Sequence, residues 1–229
     1  MLSNDVKALG TGDACEALLL TAKARVIAPL VVWRRGAGDF LLLTEEGLGE
    51  AVRAALARAR FAAKAEIEPE DHEAWLVLGA ADGGGIPNAD YGLDAVEVLD
   101  ERPVGDPVDP EELERLRIRA RTPVWGKEID DRVLPAEAGL VERAVSLDKG
   151  CFPGQEPIAR LHYRGHANRG LRILEVEGVP AFETEVRYGE KAVGRVTSSV
   201  PGLALAYVRA EVPADAELEV EGCKARQLH

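Results

Sequence analysis

The residue whose setting most invites chemistry is Cys151, in the run Lys149-Gly150-Cys151-Phe152-Pro153-Gly154-Gln155-Glu156. Gly150 and Gly154 permit backbone angles closed to other residues, and Pro153 fixes one more, so a tight turn presenting the thiol is expected. Lys149 adds a positive charge, and Gln155 to Ile158 can open a helix whose N-terminus favours anions. Both features lower a thiol pKa and raise its thiolate fraction. The competing reading is that Cys151 is a small buried apolar residue, as free cysteines usually are.

Charge distribution favours the presented thiol. The chain has 28 basic against 40 acidic residues and a formal net charge of −12. Yet from Lys149 to Arg172 the charged residues are Lys149, Arg160, Arg164, Arg169 and Arg172 against Glu156 alone, with His162 and His166 between them. A local excess of cations in an acidic chain suggests an anion site held by guanidinium forks. His162 and His166 are four apart and can share a helix face. No carboxylate or cysteine stands at metal spacing from them, so they read as surface residues and no metal site is expected.

The same run, continued through Ala159-Arg160 to Tyr163-Arg164-Gly165, resembles the signature of the YgfZ family. These are folate-binding proteins of iron–sulfur cluster maintenance, linked to tRNA modification and related to the aminomethyltransferase (T-protein) of the glycine cleavage system. Leu134-Pro135-x-Glu137-Ala138-Gly139-Leu140 resembles the segment that precedes the octet there, and Gly194-Arg195-Val196-Thr197-Ser198 the C-terminal barrel signature. The resemblance implies an α+β fold of T-protein/YgfZ type: N-terminal ferredoxin-like layers, then a small C-terminal β-barrel. The expected divisions are 1–108, 109–167 and 168–229. Ser3-Asn4-Asp5-Val6 resembles a segment internal to most relatives, so an initial strand and helix are expected to be missing, leaving a sheet edge for a partner to cover.

The resemblance further implies tetrahydrofolate or another reduced folate in a central channel, with Cys151 beside it and Lys149 as its activating neighbour. Gly150, Gly154, Gln155 and Glu156 would shape that site. Arg160, Arg164 and Arg117, with Arg169, are candidates for the carboxylates of the folate tail. Trp125, next to Gly126, suits a ring-stacking wall, although a tryptophan is more often a core anchor. Glu137 resembles a pocket-lining acid, or else it caps or pairs with a basic neighbour. The expected partners are folate and proteins of cluster assembly or their clients.

Aminomethyl transfer needs a carboxylate near the folate nitrogen. The superfamily pattern places an aspartate where this chain has Pro29, an acid where it has Arg119 and a glycine where it has Arg121. These departures speak against transfer chemistry. A folate-free interaction module on the same fold is a third reading.

The elements that must position these residues follow from pattern. Leu18 to Leu20, Val26 to Arg34, Phe40 to Thr44, Ala62 to Glu68 and Ala74 to Leu78 read as strands. Gly47 to Arg60 reads as an amphipathic helix, and Ala95 to Leu99 as an edge strand. Asp109-Pro110-Glu111-Glu112 starts a helix to about Ala120, with an N-cap, a proline in the first turn and acids against the dipole. Residues 121–147 read as loop-rich. From Leu171 on, short alternating strands indicate a barrel or sandwich. Gly83-Gly84-Gly85 lacks the lysine and hydroxyl of a phosphate loop.

With 46% apolar residues the chain can bury a sizeable core. No run is long enough for a membrane span, and no signal-peptide pattern opens it. Cys15, Cys151 and Cys223 form neither a metal pattern nor a disulfide framework, which points to a reduced, cytoplasmic protein. The acidic balance argues against broad nucleic-acid binding.

Overall fold

The computed structural model of the chain describes residues 1–60, 64–80 and 84–228. Three antiparallel units make up the α+β architecture: a sheet of β1 (Ala14–Leu20), β2 (Val26–Arg34) and β3 (Phe40–Leu43), a second of β4 (Ala74–Leu78), β6 (Ala95–Leu99) and β5 (Ile86–Asn88), and a closed barrel. The barrel runs β7 (Arg169–Glu175), β8 (Glu185–Tyr188), β9 (Lys191–Val200), β10 (Leu203–Arg209), β11 (Leu218–Val220) and β12 (Cys223–Leu228), in the spatial order β10-β7-β12-β11-β8-β9. Helices α1 (Gly49–Ala59), α2 (Pro110–Arg119), α3 (Val141–Ala144) and α4 (Gln155–Arg164) complete it.

β1 is apolar without alternation because both faces of its sheet are covered. Leu18 and Leu20 point into a core shared with Ile129, Phe152, Ile158 and Tyr207, while Ala17 and Leu19 face α1 through Val52 and Ala55. The first core therefore joins sheet, octet, α4 and barrel. Burying a side chain such as Phe152 there contributes about 1.5–3 kcal/mol.

Pro29 lies in β2, the central strand of its sheet, where a proline is normally excluded. Its carbonyl accepts the Thr44 hydroxyl (2.8 Å) on the β3 side, and β3 pairing begins only at Val31 with Leu43. The missing N–H points to that same side, beyond the paired residues, so no ladder bond is lost.

Several expectations need correction. Ala95–Leu99 is the centre of its sheet, between β4 and β5, and not an edge. Ala62 to Glu68 lies partly outside the described residues, and residues 64–68 carry no regular structure. β5 follows directly on the glycine run, of which Gly83 lies outside the described residues. A Cβ on Gly85 would stand 2.4 Å from the Glu97 carbonyl, so this glycine serves close strand packing. The edge of β1 is not bare. Ser3 exchanges backbone and side-chain bonds with Leu18 (2.7 and 3.0 Å), and the Asn4 amide donates to Glu16 O (2.8 Å).

A charged latch ties the two sheets. Arg35 grips Glu70 with both terminal nitrogens (2.7 and 2.8 Å) and also reaches Asp39. His72 bridges Asp100 (2.6 Å) and Glu70 (3.1 Å). The Asp100 carboxylate, ahead of Glu70, raises the His72 pKa, while Arg35 and then His72 pull Glu70 down to about 2. A raised histidine pKa means that the latch is complete below about pH 6.5, the unfolded value, and is lost as pH rises through the folded value. Imidazole signals followed by NMR should show His72 titrating above the ordinary histidine range, with amide protection of Glu73, which donates to Asp100 (3.0 Å), falling in step. A His72 that titrates at or below the ordinary range would contradict the latch.

Candidate functional site

The octet is a rigidly docked turn with an exposed thiol. Gly154 caps α4 with φ +83, and a Cβ there would lie 2.8 Å from both Ala24 Cα and Thr21 O. The turn after β1 is held by Thr21, whose hydroxyl accepts from Arg25 N (3.0 Å), and Ala24 is itself left-handed at φ +57. Phe152 fills the core below, and Cys151 is left exposed above. Gly150 has open space around the position of a side chain, so crowding does not require a glycine there.

Lys149 does not act as expected. Its ammonium donates to Leu2 O (2.6 Å) and Asn4 O (3.0 Å) and lies 5.5 Å from the centre of the Phe152 ring. Burial lowers its pKa. Lys149 thus clamps the N-terminal arm that covers β1, and two of its three protons are committed. The thiol whose charge it does sense is Cys15, raised chiefly by burial and then by Asp5 and Glu16, with Lys149 opposing.

Arg117 is also corrected. It is 4% exposed, and all five of its N–H donors are used: two on Glu114, the others on Glu128, Thr122 O and Ser198 Oγ. Nothing remains for a folate carboxylate. Glu137 accepts from Leu134 N (3.1 Å) and from Arg169 (3.2 Å), and the Arg169 guanidinium lies 4.6 Å from the centre of the Tyr207 ring. Glu137 and Arg169 therefore satisfy each other and brace the barrel, in place of lining a pocket. Arg172 bonds Gln227 Oε1 and carbonyls.

On α4 the buried residue is Ile158, while Glu156, Arg160, Tyr163 and Arg164 are exposed on the opposite face. Arg160 and Arg164 make no ion pair among the described residues. They project to solvent and not into the body of the fold. Gln155 is half-buried at the first turn. His166 falls beyond Gly165, the C-cap, so the two histidines do not share a helix face. Among the described residues no group of three His, Cys, Asp or Glu side chains could hold a metal ion, and no helix is long and apolar enough to cross a membrane.

Trp125 is half-buried against the Phe152–Ile158 core, with its backbone bridged to Ile129. Close by, Arg143 bonds Glu16 (2.7 Å), Asp90 (2.7 Å) and Thr122 Oγ1 (3.0 Å), drawing β1, the β5–β6 connection and the exit of α2 together. Two cavities lie away from Cys151. One of about 380 Å³ is lined by Cys15, Glu16 and Asn88, and one of about 1600 Å³ lies between β3, α1 and residues 64–72. Sequence reasoning missed Glu128 and Arg143, because nothing local distinguishes them from surface charge.

Residues 168–227 match the family described as CAF17, C-terminal beta-barrel domain. An uncharacterized protein of Haemophilus influenzae is 25% identical over 211 residues, covering 87% of this chain and 75% of its own. The aminomethyltransferase of Symbiobacterium thermophilum is 37% identical over 102 residues, which cover 41% of this chain and 27% of that enzyme. The glycine cleavage system aminomethyltransferase T from Bartonella henselae superposes with a TM-score of 0.81 at 20% identity, over 100% of this chain and 78% of its own. The last match speaks to fold alone.

The chain shares the fold of the aminomethyltransferase and, over residues 168–227, resembles the CAF17 C-terminal barrel. The matched part spans about a quarter of the Symbiobacterium enzyme in sequence. The barrel, the part matched to CAF17, is the unit that Arg117 and Tyr207 bind to the rest: Tyr207 donates to Glu128 O (2.8 Å).

Proposed function

We propose that this chain is a YgfZ-type, folate-binding accessory protein of iron–sulfur cluster assembly or repair, acting in the cytoplasm. The observation that carries this reading is the exposed Cys151 on a turn held at both ends, by Gly154 against the β1–β2 turn and by Phe152 in the core. A thiol built so firmly into an exposed position is not a packing residue. One thiolate cannot hold a cluster that usually takes four ligands, so a partner supplies the others. Arg160 and Arg164, exposed and without an ion pair among the described residues, suit the solvent-exposed carboxylates of a polyglutamate tail. Three free thiols accord with a reducing compartment. Aminomethyl transfer is disfavoured because Pro29 occupies the acid's place and offers neither charge nor donor.

Tetrahydrofolate and its polyglutamates titrated by calorimetry should bind saturably, more tightly with glutamate number and more weakly to Arg160→Ala. In a host lacking its own copy, wild type should restore cluster-enzyme activity and Cys151→Ser should not. Restoration by Cys151→Ser removes the thiol role, and no binding at millimolar folate removes the folate role.

A further inference from the structure

The sheet of β1, β2 and β3 has two edges, and the chain treats them differently. On the β1 side the N-terminal arm covers the edge through Ser3 and Asn4. On the other side β3 pairs with β2 from Val31 with Leu43 to Arg34 with Phe40. No backbone bond reaches the outer edge of β3 among the described residues. An open edge is a template for another strand, and edges that must stay unpaired carry a lysine, a proline or a bulge. This one reads Phe-Leu-Leu-Leu, without charge or proline, and its pairing with β2 shows no shift in register.

The space beside that edge is already shaped. The cavity of about 1600 Å³ is bordered by all four residues of β3 in succession. Successive strand residues point to opposite faces, so a void that meets all four lies off the edge and not over one face. Across it stand residues 64–72, which carry no regular structure and are held to the first sheet by Arg35 on Glu70 (2.7 Å). Leu56 of α1 and Ile67 add apolar walls. The volume exceeds the roughly 300–1,000 Å³ of small-molecule sites and suits a length of chain.

Charge selects the occupant. Eight carboxylates border the cavity against four arginine or lysine side chains. Asp39 and Glu70 are tied by Arg35, and Glu50 by Arg53. Glu45, Glu46, Glu66, Glu68 and Asp71 make no ion pair among the described residues, and only Arg60 and Lys64 stand against them. A second copy of the chain, with its net charge of −12, would set the same acids against themselves.

We infer that the outer edge of β3 docks an extended, basic segment of another protein, which joins the sheet as a fourth strand. Main-chain bonds to β3 supply affinity, and Lys or Arg at alternate positions answers the rim acids. The inference is independent of the folate reading, since it uses neither Cys151 nor a bound ring.

The test uses the full chain and pools of heptapeptides with Lys or Arg at alternate positions and mixed apolar residues between them. A pool member should bind saturably by calorimetry, less tightly at high salt, and should slow hydrogen exchange of the outward amides in Phe40–Leu43. Methylating one alternate set of its backbone nitrogens should weaken binding roughly tenfold or more, and methylating the other set much less, because only one set faces β3. Glu66→Lys with Glu68→Lys, both exposed, should weaken it by about the same factor without lowering the melting temperature. No binding by any pool at millimolar concentration overturns the inference. So does binding that leaves the Phe40–Leu43 amides unchanged or that tolerates both methylated sets equally. A concentration-dependent dimer that protects the same amides overturns it in favour of a second copy.

Discussion

Replacing Arg117 by methionine should cost about 3–5 kcal/mol of stability, because it strands a fully buried carboxylate, that of Glu128. Glu128 has a fully buried side chain. Its oxygens accept from Ser198 Oγ (2.7 Å), Val124 N (3.1 Å) and Arg117 Nη1 (3.2 Å). Arg117 lies between this buried acid and Glu114, which it holds down to about 2, and it bonds β9 through Ser198. For a chain of this length the loss corresponds to roughly 6–20 °C in melting temperature. Adding Glu128→Leu to Arg117→Met should recover a large part of it, since a buried ion pair replaced on both sides is often near neutral. Arg117→Lys should not rescue, because an ammonium cannot reproduce five fixed donors. A single Arg117→Met variant within 0.5 kcal/mol of wild type, by urea unfolding, would show that the network is not structural.

The second large effect is expected at Gly154. Gly154→Ala meets two penalties together: a left-handed φ of +83, and a Cβ 2.8 Å from the backbone at Ala24 and Thr21. The first costs about 1–2 kcal/mol and the forced shift about 1–3 more. Neither contact can be relieved by a side-chain rotation, so α4 must move and Cys151 with it. Gly150→Ala, where no atom lies within 4 Å of the would-be Cβ, should change stability by less than about 0.5 kcal/mol. Denaturant midpoints of the two variants decide the matter. Equal costs would mean that the octet glycines serve chain flexibility and not docking.

The contrast between these two glycines marks how far sequence reasoning reaches. Gly150 and Gly154 look alike in the octet, and both read as turn residues. The clash that distinguishes them is with Thr21 and Ala24, about 130 positions away. In the same way, Lys149 beside Cys151 reads as an activator of the thiol. Its actual acceptors are carbonyls 147 and 145 residues distant. Arg117 shares the look of a surface helix cation with Arg119, and only its bond to Ser198, 81 residues on, shows that it is buried.

What sequence alone determined is local. The start of α2 is one example: Asp109 accepts from Glu111 N (2.7 Å), with Pro110 in the first turn, as the residue types require. The barrel strands from β7 to β11 and the strand–turn–strand of β2 and β3 follow from alternation and turn residues, whose causes lie within a few positions of one another. The exposed Cys151 also follows from its neighbours. Only tertiary structure decided which cations are spent inside the fold and which face solvent. Hydrogen-bond partners and burial are properties of chain crossings, and side-chain periodicity, which repeats over two to four residues, carries no record of them.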